Sequence, residues 1–206
     1  MIEEFQDDLI LNEELQKESK VEPQDLKVTK KKKKKEIFGF ILYVVFVFAF
    51  AYLIITFVGQ RTVVIGHSME NTLADGDNLI VDKISYRFKE PERYDIIVFP
   101  YEYKEDTYYI KRIIGLPGET VMISSEGVIY INGKELKESY GREVIRNAGL
   151  AGAPIELKDG EYFVLGDNRN NSEDSRFSDV GIIHKSEIVG RAVFRIFPFD
   201  SIGTLK

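Results

Sequence analysis

The most constraining feature of this chain is an uncharged run of 22 residues, Ile37 to Val58, reading IFGFILYVVFVFAFAYLIITFV. As a helix rising about 1.5 Å per residue it reaches roughly 33 Å, enough to cross a hydrocarbon core of about 30 Å. Six consecutive lysines, Lys30 to Lys35, come just before it, whereas only Arg61 follows closely. The positive-inside rule therefore predicts a single-pass membrane anchor with the N-terminus in the cytoplasm and everything after Gly59 outside. Two rival readings fit less well. A buried core helix is rarely so long, aromatic-rich and lysine-flanked. A cleavable leader would use Ala49-Phe50-Ala51, yet the apolar run continues for seven residues past Ala51.

Residues 1–29 carry nine acidic residues against three lysines, so the tail is expected to be disordered or weakly helical. With the lysine run it makes a cytoplasmic segment, 1–36, ahead of the anchor at 37–58 and an outer domain at 59–206. A formal charge of -6, with no basic run elsewhere, argues against nucleic acid as a partner and leaves the lipid bilayer as the predicted one. The chain has no cysteine, which excludes disulfides, cysteine zinc sites and thiol nucleophiles. His67 and His184 are the only histidines, too few for a multi-histidine metal site. No cofactor is expected.

Beyond Gly59 short β-branched and aromatic runs predict strands at Thr62–Ile65, Leu79–Lys83, Asp95–Phe99, Tyr108–Ile114, Thr120–Ser124, Val128–Ile131, Tyr162–Leu165 and Ala192–Phe197. Turn signals separate them, among them Asp75-Gly76, Pro117-Gly118, Glu126-Gly127, Asn132-Gly133 and Asp159-Gly160. The fold class is mainly β, an antiparallel domain with two packed faces, and a smaller β insertion is expected at about 120–160.

Candidate chemistry lies in three places. Val64-Ile65-Gly66-His67-Ser68-Met69 ends a strand on a glycine and exposes a serine, beside which backbone N–H groups can face a developing oxyanion. A nucleophilic serine needs a base. His67 is adjacent and in extended chain points the other way, and nothing near His184 supplies an orienting carboxylate. Lysine serves if burial lowers its pKa. In Tyr108-Tyr109-Ile110-Lys111-Arg112-Ile113-Ile114, Lys111 shares a strand face with Tyr109 and Ile113, and Arg112 faces the other way with Ile110 and Ile114. Spacing alone leaves open a lysine that snorkels to solvent. Gly166 to Arg176, GDNRNNSEDSR, is a polar loop whose carboxylates either bind calcium or pair with Arg169 and Arg176. The spacing lacks the closing glutamate and central glycine of a calcium loop, which favours ion pairing.

In combination, Ser68-Met69-Glu70-Asn71-Thr72-Leu73, Gly76 to Val81, Asp95 to Phe99, Lys111 to Glu119 and Gly166 to Arg176 resemble bacterial type I signal peptidase in its Gram-positive, single-anchor form. The likeness covers nearly everything from the anchor onward. It implies a serine endopeptidase removing signal peptides from exported preproteins after small residues in A-x-A sites. Ser68 would attack, Lys111 would accept its proton, Ser172 would hydrogen-bond the lysine, Asp174 and Arg176 would form a supporting ion pair, and Asp167 would brace the site. Met69 would pack near the nucleophile. The Ser68 N–H would hold the oxyanion, with Gly66 where some relatives have a second, serine hydroxyl donor. Asn71 stands where the family pattern has proline, and is expected to loosen the turn after the nucleophile. Two alternatives carry different expectations: a weakly active scaffold in secretion or pilus assembly, which loss of Ser68 or Lys111 would favour, and a self-cleaving regulator, which would carry a DNA-binding domain in place of the anchor.

Overall fold

The computed structural model describes residues 23–57 and 59–205, with helix side chains described for 35–52. The chain divides into two compact units, Met1–Tyr52 and Leu53–Lys206. Helix α1 spans Pro23–Phe57. Proline suits a first turn, where its missing N–H would have no partner, and lysine propagates a helix well. Residues 23–36, expected as a disordered or weakly helical tail, are therefore helical through the lysine run; residues 1–22 lie outside the described residues. In the window Lys35–Tyr52 the mean hydropathy is 1.8 and nothing is buried. Phe38, Phe40 and Phe48 are exposed along it. Among the described residues this is the one helix long and apolar enough to cross a membrane.

The second unit is built from strands β1 (Gly59–Val63), β2 (Asn78–Asp82), β3 (Ile96–Pro100), β4 (Tyr108–Gly115), β5 (Thr120–Ile123), β6 (Ile129–Ile131), β7 (Lys134–Glu135), β8 (Ile155–Glu156), β9 (Glu161–Leu165), β10 (Ile183–His184), β11 (Gly190–Phe197) and β12 (Gly203–Thr204). The larger sheet runs β1-β2-β11-β3-β4-β9-β10, with β12 paired to β11, and the smaller runs β7-β6-β5-β8. Neighbouring strands pair antiparallel, as the sequence pattern predicts. The first strand ends earlier than expected. Val64 already turns its N–H to Asp77, and Ile65 is 91% exposed.

Alternation explains how the central strands serve two cores. Along β9, Tyr162 and Val164 point into a cluster with Ile97, Phe99, Ile113 and Ile183. Phe163 and Leu165 point the opposite way, joining Ile114 to Val121, Ile123, Ile129 and Ile131 of the smaller sheet. A strand buried on both faces reads as a continuous apolar run, which YFVL is. A third cluster, Val64, Met69, Leu73, Leu79, Ile96, Ala192 and Leu205, lies beneath the segment that carries Ser68. This cluster anchors the site.

Candidate active site

Between β1 and β2 the chain makes a closed loop, tied at its neck by Val64 N–H to the Asp77 carbonyl at 2.8 Å and Gly76 N–H to the Val64 carbonyl at 2.9 Å. Gly66, at φ +98°, donates its N–H to Asp75 Oδ1 at 2.7 Å. Glycine adopts that conformation without strain. Met69 and Leu73 are each 1% exposed in the core beneath, so they pin the loop on either side of Glu70. Ser68 is thereby held at the surface of a rigid base. Thr72 and Leu73 both donate N–H groups to the Met69 carbonyl, and the turn so made puts Asn71 at φ +97°. Proline is fixed near φ −65° and cannot occupy this backbone. Asn71 therefore does not loosen the turn; it supplies a conformation asparagine tolerates and proline does not.

Lys111, on β4, is 3% exposed. Its Nζ donates to Ser68 Oγ at 2.9 Å and to the Ile110 carbonyl at 3.1 Å, and lies 4.8 Å from the centre of the Tyr109 ring. The strand face predicted from alternation is the one observed. Burial pushes the ammonium down from 10.5 to about 8, partly opposed by the carboxylates of Asp174, Glu173 and Asp167. A buried lysine at hydrogen-bond distance from a serine hydroxyl is the geometry a general base requires. The snorkelling alternative is excluded by this burial.

The polar loop after β9 holds both partners in register. Asn168 donates its N–H to the Ser68 carbonyl at 3.0 Å and its side-chain amide to the His67 carbonyl at 3.0 Å. Any side chain at Gly166 would collide with the Ser68 carbonyl and the Ser172 hydroxyl, so the loop approaches Ser68 only because residue 166 is glycine. Asp167, wholly buried, is gripped by Arg112 through Nε at 2.9 Å and a terminal nitrogen at 2.8 Å, and accepts the Thr72 hydroxyl at 2.5 Å. Arg112 also donates to the Tyr94 carbonyl and lies 3.7 Å over the Tyr140 ring. Asp174 pairs with Arg176 at 2.7 and 2.8 Å and accepts the Gly166 N–H at 3.1 Å. These arginines satisfy the carboxylates that a calcium ion would otherwise need to balance.

One expected contact is not formed. The Ser172 hydroxyl is buried without a hydrogen-bond partner, and Lys111 instead directs a donor to the Ile110 carbonyl. Gly66 differs as well, since its N–H is committed to Asp75. The Ser68 N–H has no partner among the described residues. His67 bonds to Glu70 at 2.7 Å, and His184 sits exposed on β10 with its N–H on Glu187. Thr72, Arg112 and Tyr109 also belong to the site, although the sequence pattern assigns none of them a role there. For Arg112 the signal was present, because a guanidinium between Ile110 and Ile114 demands a buried carboxylate.

Ser68, Lys111, Gly66, Ile110 and Ser172 line one cleft of about 1220 Å³. A family model described as signal peptidase, peptidase S26, matches residues 37–197. The chain belongs to the S26 signal peptidase family. A probable signal peptidase I-2 of Synechocystis sp. is 42% identical over 155 residues, covering 73% of this chain and 68% of the relative. Signal peptidase I of Bacillus licheniformis is 37% identical over 177 residues, covering 82% of this chain and 94% of its own. A signal peptidase I of Enterococcus faecalis, known from a crystal structure, is 34% identical, covers 50% of this chain and 97% of its own, and gives a TM-score of 0.40. As an S26 signal peptidase, the chain is a hydrolase.

Proposed function

We propose that the chain is a membrane-anchored serine endopeptidase that cuts signal peptides from exported preproteins with Ser68 as nucleophile and Lys111 as base. The contact of 2.9 Å between Lys111 Nζ and Ser68 Oγ carries this reading. As a neutral amine, Lys111 takes the hydroxyl proton while Ser68 Oγ attacks the scissile carbonyl. The oxyanion that forms is met by the uncommitted Ser68 N–H. Collapse of the intermediate expels the mature chain's amine, which leaves with the proton from Lys111; a water deprotonated by the Lys111 amine then attacks the ester, and Lys111 returns the proton to Ser68 Oγ as the signal peptide leaves.

Substrate selection follows from the edge of the sheet. Strand β1 pairs with β2 on one side, and beyond it Val64 to Gly66 continue along the cleft. An extended peptide can add there by backbone pairing, and small side chains at alternate positions fit against Val64 and Ile110. The lysine run before the apolar stretch supports a cytoplasmic N-terminus and an outer catalytic domain. An anchor confines enzyme and membrane-inserted substrate to two dimensions, which raises their effective concentration. Incubation of the full chain in detergent with an A-x-A preprotein tests the dyad. Ser68→Ala and Lys111→Ala are each expected to lower cleavage by at least about a thousandfold with the fold intact. Retention of activity in either variant refutes the assignment.

A further inference from the structure

Three carboxylates act on the Lys111 ammonium, those of Asp174, Glu173 and Asp167. Their surroundings are not alike. Asp167 is matched by Arg112 and Asp174 by Arg176, each through two hydrogen bonds of 2.7–2.9 Å; Asp174 still acts most strongly of the three on the ammonium, but both aspartates are tied to buried arginines. Glu173 is different. It is exposed, forms no ion pair among the described residues, and its side chain accepts one hydrogen bond, from the Tyr109 hydroxyl at 2.8 Å. Tyr109 lies two residues before Lys111 on the same face of β4, and Tyr101 stacks on its ring at 4.5 Å. The Tyr109–Glu173 bond thus spans from β4 to the loop that follows β9, and both residues line the cleft with Ser68 and Lys111.

Resting on the dyad proposed above, we infer that Glu173 is a positioning residue: its unbalanced carboxylate, held against the cleft by Tyr109, sets the pH range in which Lys111 can act as a base. Tyr109 cannot share the negative charge, because burial and the neighbouring Glu173 carboxylate hold its phenol above the usual tyrosine range. Nor do the other titratable groups of the cleft take this role. Lys104 and Asp106 sit on the turn between β3 and β4, His67 is bonded to Glu70, Arg176 is committed to Asp174, and Asp179 lies beyond the loop. A negative charge beside the ammonium keeps it protonated to higher pH. Glu173 thereby trades activity at neutral pH against a firmly placed loop.

The test is the pH dependence of kcat/KM for the full chain in detergent, with an internally quenched A-x-A signal-peptide substrate from pH 6 to 10. In Glu173→Gln the ascending limb should move to lower pH by about half a unit, the size expected for one partly solvated charge, so at pH 7 the variant should run about threefold faster relative to its own plateau. Glu173→Asp, which keeps the charge, should restore the parental midpoint more nearly than glutamine does. Tyr109→Phe should shift the limb in the same direction, and adding it to Glu173→Gln should produce no further movement. Raising salt should shift the parent but not Glu173→Gln; this comparison and Tyr109→Phe decide the matter if one variant folds poorly. Unmoved midpoints, with only the height of the profile changed, overturn the inference. A parent with no ascending limb, or an active Lys111→Ala, would instead overturn the dyad.

Discussion

Replacing Lys111 by methionine is expected to abolish cleavage and to stabilise the protein. Burial lowers this ammonium from 10.5 to about 8, which corresponds to about 3 kcal/mol of unfavourable charging in the folded state near neutral pH. Methionine is unbranched, close in volume and able to fill an irregular site, so little cavity or strain should offset the relief. Against it stand two lost hydrogen bonds, to Ser68 Oγ and the Ile110 carbonyl, at about 1 kcal/mol each. The net gain of about 1–2 kcal/mol should raise Tm by about 3–6 °C. The sign with pH is distinctive. Between pH 8 and 10.5 the unfolded chain still holds the proton that folded Lys111 has released, so parental stability climbs through this window. The methionine variant lacks that contribution, and titration of other groups cancels in the difference. Thermal unfolding of the full chains in detergent at pH 7 and 10, followed by tyrosine near-UV circular dichroism because the sequence has no tryptophan, measures it. The variant's advantage should shrink or reverse at pH 10. Equal Tm values at pH 7, or a difference independent of pH, would refute the claim that the buried charge is costly.

Asn71→Pro, which restores the family's residue, should destabilise the loop after the nucleophile and reduce kcat/KM at least about tenfold, because φ +97° is closed to proline. Asn71→Gly should keep activity within about threefold, and a fully active proline variant would show that this turn can re-form with another backbone. Asp167→Asn removes the carboxylate that grips the buried Arg112 guanidinium through two hydrogen bonds, so a loss of about 3–5 kcal/mol is expected in the same melts; a change below about 1 kcal/mol would mean that the arginine's other contacts, those to Thr72, Tyr94 and Tyr140 among them, suffice to hold it.

What was legible in the sequence was local. The apolar helix and the eight longer strands announce themselves through runs and alternation, while β7, β8, β10 and β12 are two residues each and have no period to detect. Ser68 and Lys111 were each readable as candidates from immediate neighbours, and their adjacency came from a likeness to a family. Neighbours do not give partners. Lys111 meets Ser68 across 43 residues, Arg112 meets Asp167 across 55 and Thr72 meets Asp167 across 95. Such pairings are fixed by strand order and by the approach of the loop at Gly166, neither of which a linear pattern encodes. The same reason explains the misplaced expectation at Ser172, whose hydroxyl is near the site in sequence motif but unpartnered in space, and at Asn71, where residue identity suggested looseness and only the backbone angle reveals a defined turn. The chemistry of this chain therefore rests on a charge balance that no single segment contains. Asp167 and Asp174 are paired with arginines from β4 and from their own loop, burial outweighs the pull of Asp174, Glu173 and Asp167 on the Lys111 ammonium, and an uncharged amine becomes accessible near neutral pH without any histidine.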